Sequence, residues 1–249
     1  MEPIIKLGQG EYEYVYPKRT NPRRAEARPC ADERTAYLSS RSLADFRRCP
    51  SLFRAKEQGL ISDDDPDEPI VDRAVRRLIL GEPEQPETVL DADQADRVER
   101  MVSAIRAHIF ARELLASGVA DSALRCKYAG HPCQGRIDWI NPLPYRGIVG
   151  VKCCQRLEWF AADAGAHGYV YDMAFNRSLV ISAAGVILPV YLIVAEKCEP
   201  NRCGVWQIAE HVLRHARIEN ERAMAELTQC RASGIWPTRF ESIHTIDRL

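Results

Sequence analysis

The sequence predicts an α/β fold in which helices flank a mixed central β-sheet. Three observations lead there. Five segments read as helices, and five carry the short, alternating or wholly apolar runs of strands. The order is helices, three strands, a helix, two strands and a helix, which layers helices on a sheet. Residues 157–179, read as a helix, separate the third strand from the fourth, so the central sheet is expected to be mixed. At 249 residues, 46% apolar and 28% charged, the chain has the makings of one globular domain.

The elements follow in chain order. Residues 1–36 read as an N-terminal arm, with a β-like opening at 11–16 and then the polar stretch KRTNPRRAEARPCADER. Residues 37–249 read as a single domain, divided into a helical part (37–118), a sheet core (119–209) and a C-terminal helix and tail (210–249). The spacing predicts a helix over 39–56, capped by Ser39 or Ser40, with Leu43, Phe46 and Arg47 recurring. SDDDPDEP (62–69) is a solvated loop, 70–80 a helix presenting Val71, Ala74, Val75 and Leu78, and GEPEQPE a proline-broken linker. The helix over 91–117 has Asp91 as N-cap, Gln94 three residues later, a stripe of Val98, Met101, Val102, Ile105 and Ile109, and Gly118 as its stop. Strands are expected at 122–128, 133–140 and 147–153, then a helix at 157–179 bending at Gly165 or Gly168. Strands at 186–196 and 204–208 and a helix at 210–233 complete the chain.

Composition narrows the function classes. The longest apolar run, 185–195, contains Pro189 and is too short for a membrane span. The opening residues lack a secretory signal pattern, so a cytoplasmic protein away from membranes is expected. Nine cysteines, an odd number, are scattered rather than spaced as a disulfide framework. A net charge of −1 gives no global basicity to argue for nucleic acid. The charge is uneven, however. Residues 1–60 hold twelve basic and eight acidic side chains, and residues 61–102 hold five and thirteen, so a DNA-facing surface fits the first segment better. His211 and His215 stand four apart on a helix, but Val212 occupies the place where a zinc protease needs its acid, and a surface helix face is the simpler reading. Trp139, Trp159, Trp206 and Trp236 read as core or half-buried packing.

The most informative stretch is QGRIDWINPLPYRGIVGVKCC (134–154), two strands that carry Asp138 and, fourteen residues on, Lys152. Nucleases that cut phosphodiesters with Mg²⁺ use such a hairpin to bring a carboxylate and an ammonium to one pocket. A second acid two residues before the lysine usually completes the metal site. Here that residue is Gly150.

With these residues in hand, the chain resembles the PD-(D/E)XK nuclease superfamily, within it the RecE-type exodeoxyribonuclease VIII and RecB-like phage exonuclease branch. The likeness lies in LSSRSLADFRRCPSLFRAK (38–56), RAVRRLILGEPE (73–84), GRIDW with GVK, and the series GYVYDMAFN (168–176), VAEKCEP (194–200) and GIWP (234–237). It implies a restriction-endonuclease-like core, duplex DNA ends as substrate, Mg²⁺ as cofactor, a single-strand annealing protein as partner and a homo-oligomer. It also implies a phage or prophage setting. By the same likeness Asp138, Lys152 and Asp172 are the catalytic candidates, and Asp138, Asp172 and the Val151 carbonyl the metal ligands. Arg41, Ser42, Arg47, Arg48, Arg136 and Tyr169 are the DNA-binding candidates. No iron–sulfur cluster is expected, because the cysteine triplet of cluster-bearing relatives is not matched by Cys198, Cys203 and Cys230.

The departures are specific. Arg76 stands where the family has histidine, Gly150 where it has aspartate and Asp172 where it has glutamine. A unit charge pair at 4 Å is worth about 4 kcal/mol at an effective dielectric near 20, so the missing acid costs metal affinity by about three decades. A catalytically impaired nuclease fold, binding Mg²⁺ weakly or not at all, is the first expectation. An active 5′→3′ exonuclease with Asp172 as a migrated carboxylate is the second. A non-enzymatic protein that binds a host protein through the acidic 62–99 region is the third. Arg76 has two readings, an ion pair with Asp138 or Asp172 in place of a metal, or part of a charged helix face with Arg73 and Arg77. Glu158, Asp163 and Glu196 are poorer metal candidates, Glu196 being expected at a strand end beside a basic partner.

Overall fold

A computed structural model describes residues 14–15, 37–61, 70–82, 90–143, 145–243 and 245. The remainder of the arm, the 62–69 loop and most of the GEPEQPE linker lie outside them. Strand β1 (Tyr14–Val15) is followed by α1 (Ser40–Arg48), α2 (Pro50–Glu57), α3 (Ile70–Leu80), α4 (Ala92–Ala107) and α5 (Ile109–Leu115). Then come β2 (Val119–Tyr128), β3 (His131–Asn141), β4 (Gly147–Cys154), α6 (Leu157–Ala166), α7 (Tyr169–Ala184), β5 (Val190–Glu196), β6 (Cys203–Gln207) and α8 (Glu210–Ser233).

The sheet runs β1-β2-β3-β4-β5-β6, antiparallel throughout except for β4 and β5, which are parallel and joined by the α6–α7 crossover. It is therefore mixed, as expected. Strands β4 and β5 are covered on both faces, which is why they read as continuous apolar runs. Val149, Val151, Cys153, Ile193 and Ala195 pack with α3, α4 and α5. Ile148, Leu192 and Val194 pack with α1, α2, α6, α7 and α8.

Two helices expected to be continuous are divided, and a third is parted at one of the two glycines where a bend was expected. Cys49, which precedes Pro50, is extended (φ −161°, ψ 103°), as a residue before proline tends to be, and separates α1 from α2. His108 (φ −73°, ψ 120°) separates α4 from α5, its Nδ1 accepting from the Ala111 amide at 3.3 Å. The turn at His108 leaves Ile109, assigned to the apolar stripe, 60% exposed. Gly168 (φ +74°) parts α6 from α7, which then runs on to Ala184. Strand β5 begins only after Pro189, and β2 begins earlier than expected, at Val119. Leu78 lies on the outer face of α3 and Trp159 on the outer face of α6, both exposed rather than packed. The Asp91–Gln94 capping box forms, and Ser39 caps α1 with Ser42 returning the bond.

Glu196 ends β5 almost wholly buried, held by two Arg202 N–H groups at 2.7 Å and by the Leu157 amide at 3.2 Å. The Arg202 hydrogen bonds hold its carboxyl below the usual value. A depressed folded pKa contributes stability that is present above the unfolded value of 4.5 and lost as pH falls through the folded one. Glu196→Gln is therefore expected to lower the urea midpoint at neutral pH. That deficit shrinks as pH is lowered through the acid range, and a pH-independent deficit would disprove the linkage.

Candidate active site

The site grows from a fork in the sheet. Strands β3 and β4 pair over only three positions, Trp139↔Val149, Ile140↔Ile148 and Asn141↔Gly147. Ile137 and Ile140 pack on the α7 side while Trp139 packs on the α3–α4 side, so the alternation of β3 breaks at Asp138. Where the ladder stops, the Asp138 side chain takes its place: Oδ2 accepts from the Val151 amide at 2.8 Å. The carboxylate is 11% exposed and held beside the backbone that leads into Lys152.

The other oxygen of Asp138 faces Arg76 on α3, Nη1 to Oδ1 at 3.5 Å. Arg76 Nη2 is 3.6 Å from Glu82 Oε1, just past the end of α3, and Glu82 is 3.2 Å from Arg136 Nη2 on β3. Arg136 also pairs with Asp121 on β2, and that bond raises its pKa. Of the two readings of Arg76, the pair with Asp138 is the one formed.

Lys152 points to the α7 side. Its Nζ lies 3.9 Å from Asp172 Oδ2 and 4.9 Å from the centre of the Tyr169 ring. Ser40, the first residue of α1, donates its hydroxyl to Asp172 Oδ1. Burial raises the Tyr169 pKa, with the Lys152 charge opposing it. Gly150 lies on the same face of β4 as Lys152, two residues before it. A Cβ built there would meet Met173 Sδ at 3.0 Å and Leu192 Cδ2 at 3.1 Å, so an apolar pair occupies the direction an acid would take.

The DNA-binding candidates divide. Arg41 and Arg48 are exposed on α1. Ser42 belongs to the α1 capping box. Arg47 is drawn inward: it donates to Asn220 on α8 and its guanidinium lies 4.2 Å from the Tyr171 ring centre, with burial lowering its pKa. Arg136 is half exposed but committed to two carboxylates. Glu82, Asp121 and Ser40 were not assigned to the site by sequence. Glu82 lay in a segment read as a proline-broken linker, and no spacing relates it to Asp138. Glu158 pairs with Arg202, while His211 and His215 are exposed on α8.

These side chains do not fit a Mg²⁺ ion as they stand. Such an ion demands a near-octahedral set of oxygens at roughly 2.1 Å. Asp138 gives its oxygens to the Val151 amide and to Arg76, and Asp172 gives its own to Ser40 and Lys152. Among the described residues, no three His, Cys, Asp or Glu side chains converge as a metal cage. Nor, among them, is any helix long and apolar enough to cross a membrane.

The fold is similar to that of the crystal structure of a protein from Eubacterium rectale, provisionally called an exonuclease. The TM-score is 0.70 at 15% identity, covering 91% of this chain and 96% of that one. This likeness is consistent with a restriction-endonuclease-like α/β fold. A structure of LHK-Exo in complex with dAMP matches with a TM-score of 0.35 at 13% identity, over 81% of this chain and 95% of that one. No match is found among curated proteins. A family model described as a PDDEXK-like domain of unknown function (DUF3799) matches residues 39–248.

Proposed function

This chain belongs to the PDDEXK-like DUF3799 family, and on that premise we propose that it is a RecE-like DNA-end-processing protein whose own phosphodiester cleavage is impaired. The observation that carries the reading is Gly150. On the β4 face that presents Lys152, the position of the second acid holds no side chain, and Met173 and Leu192 close over it. Asp138 is left as the one carboxylate in the β3–β4 fork. Exposed Arg41 and Arg48 on α1 then serve to place duplex phosphates, which position DNA without reading its sequence. The annealing partner and the homo-oligomer belong to the same reading, as does a phage setting.

The test is digestion of 5′-phosphorylated linear duplex with Mg²⁺ or Mn²⁺, wild type beside Asp138→Ala and Asp172→Asn. Equal, background loss of DNA from all three is expected. Binding is expected to persist with a steep salt dependence, its slope reduced by about one when Arg48→Ala removes one phosphate contact.

One observation favours a second reading. The Asp172 carboxylate reaches Lys152 at 3.9 Å, so an acid on α7 stands beside the lysine even though β4 supplies none. Cutting by wild type that disappears in both Asp variants would establish that reading and overturn the first.

A further inference from the structure

Among the described residues, the outer edge of the sheet is paired at two positions, Tyr14 of β1 opposite Leu124 of β2 and Val15 opposite Ala123. Strand β2 runs on to Tyr128, and its side chains alternate. Ser122, Leu124 and Tyr128 are buried and Cys126 is half-buried, while Ala123, Arg125 and Lys127 are exposed. Arg125 lies over the Tyr37 ring at 4.8 Å, but among the described residues neither it nor Lys127 has a carboxylate partner. On the buried side an apolar groove is lined by Ser122, Leu124, Ile137, Ala183 and Val186. The Ser122 hydroxyl is buried there without a hydrogen-bond partner among the described residues.

The sequence around β1 alternates in step with that edge. Residues 11–16 read Glu-Tyr-Glu-Tyr-Val-Tyr. Opposed residues of an antiparallel pair share a face. Carried outward from Tyr14 and Val15, the register sets Glu13 opposite Arg125 and Glu11 opposite Lys127, both on the exposed face. On the other face it sets Tyr12 opposite Cys126 and Tyr16 opposite Ser122, at the apolar groove. A slip of one residue would turn the acids to the buried side, so the sequence satisfies both faces in this register. Pro17, which has no N–H to donate, then falls opposite Asp121, where a φ of +47° already interrupts β2.

We propose that the β2 edge from Ser122 to Lys127 is a docking surface for residues 11–16 of the same chain, recognised by charge on one face and by tyrosine on the other. The docked strand closes an edge whose free N–H and C=O groups would otherwise invite a second chain. This docking needs neither metal nor DNA.

Hydrogen–deuterium exchange of the full-length chain, resolved by peptide, tests it. Residues 11–16 are expected to exchange at least about tenfold more slowly than an unstructured chain of that sequence, at every protein concentration. Glu11→Lys with Glu13→Arg is expected to reduce that protection at least about threefold, and so is Arg125→Glu with Lys127→Glu. Combining the two pairs restores it, since the charges are exchanged rather than lost. Should the β2 variant fail to fold, the arm variant alone decides. Wild-type residues 11–16 that exchange at the unstructured rate overturn the proposal. So does protection that the charge reversals leave in place, or that the combined variant fails to regain. Protection that disappears on dilution overturns it too, by showing that the edge takes the arm of a second copy.

Discussion

Gly150→Asp introduced together with Arg76→His tightens Mn²⁺ binding by about three decades over Arg76→His alone, because one added carboxylate near 4 Å is worth about 4 kcal/mol at an effective dielectric near 20. The same double variant is expected to gain Mn²⁺-dependent cutting of linear duplex DNA, which Asp138→Asn then removes. Sterically the change is admissible. The tightest neighbours of the new Cβ would be Met173 Sδ and Leu192 Cδ2, both toward the ends of flexible side chains rather than backbone. Electrostatically it is costly without a cation. Gly150→Asp alone places a carboxylate against a thioether and a leucine, a burial that costs more than the about 1–3 kcal/mol of an unpaired neutral polar group. Titration calorimetry and the digestion assay check both parts. Equal Mn²⁺ affinity in the single and double variants would mean that position 150 does not face the centre.

The second large effect concerns stability. Asp138→Ala is expected to destabilise the protein by about 2–3 kcal/mol, since it removes a charge-assisted bond from the Val151 amide and leaves Arg76 partly buried with Glu82 alone. For a chain of this size the melting temperature falls by roughly 4–12 °C. The sign is the informative part. In a centre built for metal, clustered carboxylates are strained in the metal-free protein, and removing one tends to stabilise. Melting curves in EDTA decide, and an unchanged or raised midpoint for Asp138→Ala would show that the carboxylate is not part of the packing.

How far the sequence spoke can be judged from these residues. The β3–β4 hairpin was legible because Asn141 and Pro142 interrupt two runs of strand character, and Asp138 and Lys152 were legible because their residue types and spacing are distinctive. Pro50 marked the division of the first helix, although helical spacing across it argued otherwise. Nothing marked His108, whose cap is made by its own ring nitrogen. The inward turn of Arg47 depends on Tyr171 and Asn220, far along the chain, and so does the approach of Glu82 to Arg76 and Arg136 depend on how α3 lies across the sheet. Charge runs tell which residues are ionic; only tertiary packing tells which of them meet.

The helical part touches the sheet's polar fork at two separated points, through Ser40 on α1 to Asp172 and through Arg76 on α3 to Asp138. Both contacts tie a helix from before the sheet to a residue within or after it. Opening either helix therefore exposes charges that the strands and α7 have already desolvated. The amides of α1 and α3 are consequently expected to exchange with solvent as one cooperative unit with β3, β4 and α7, rather than by fraying on their own.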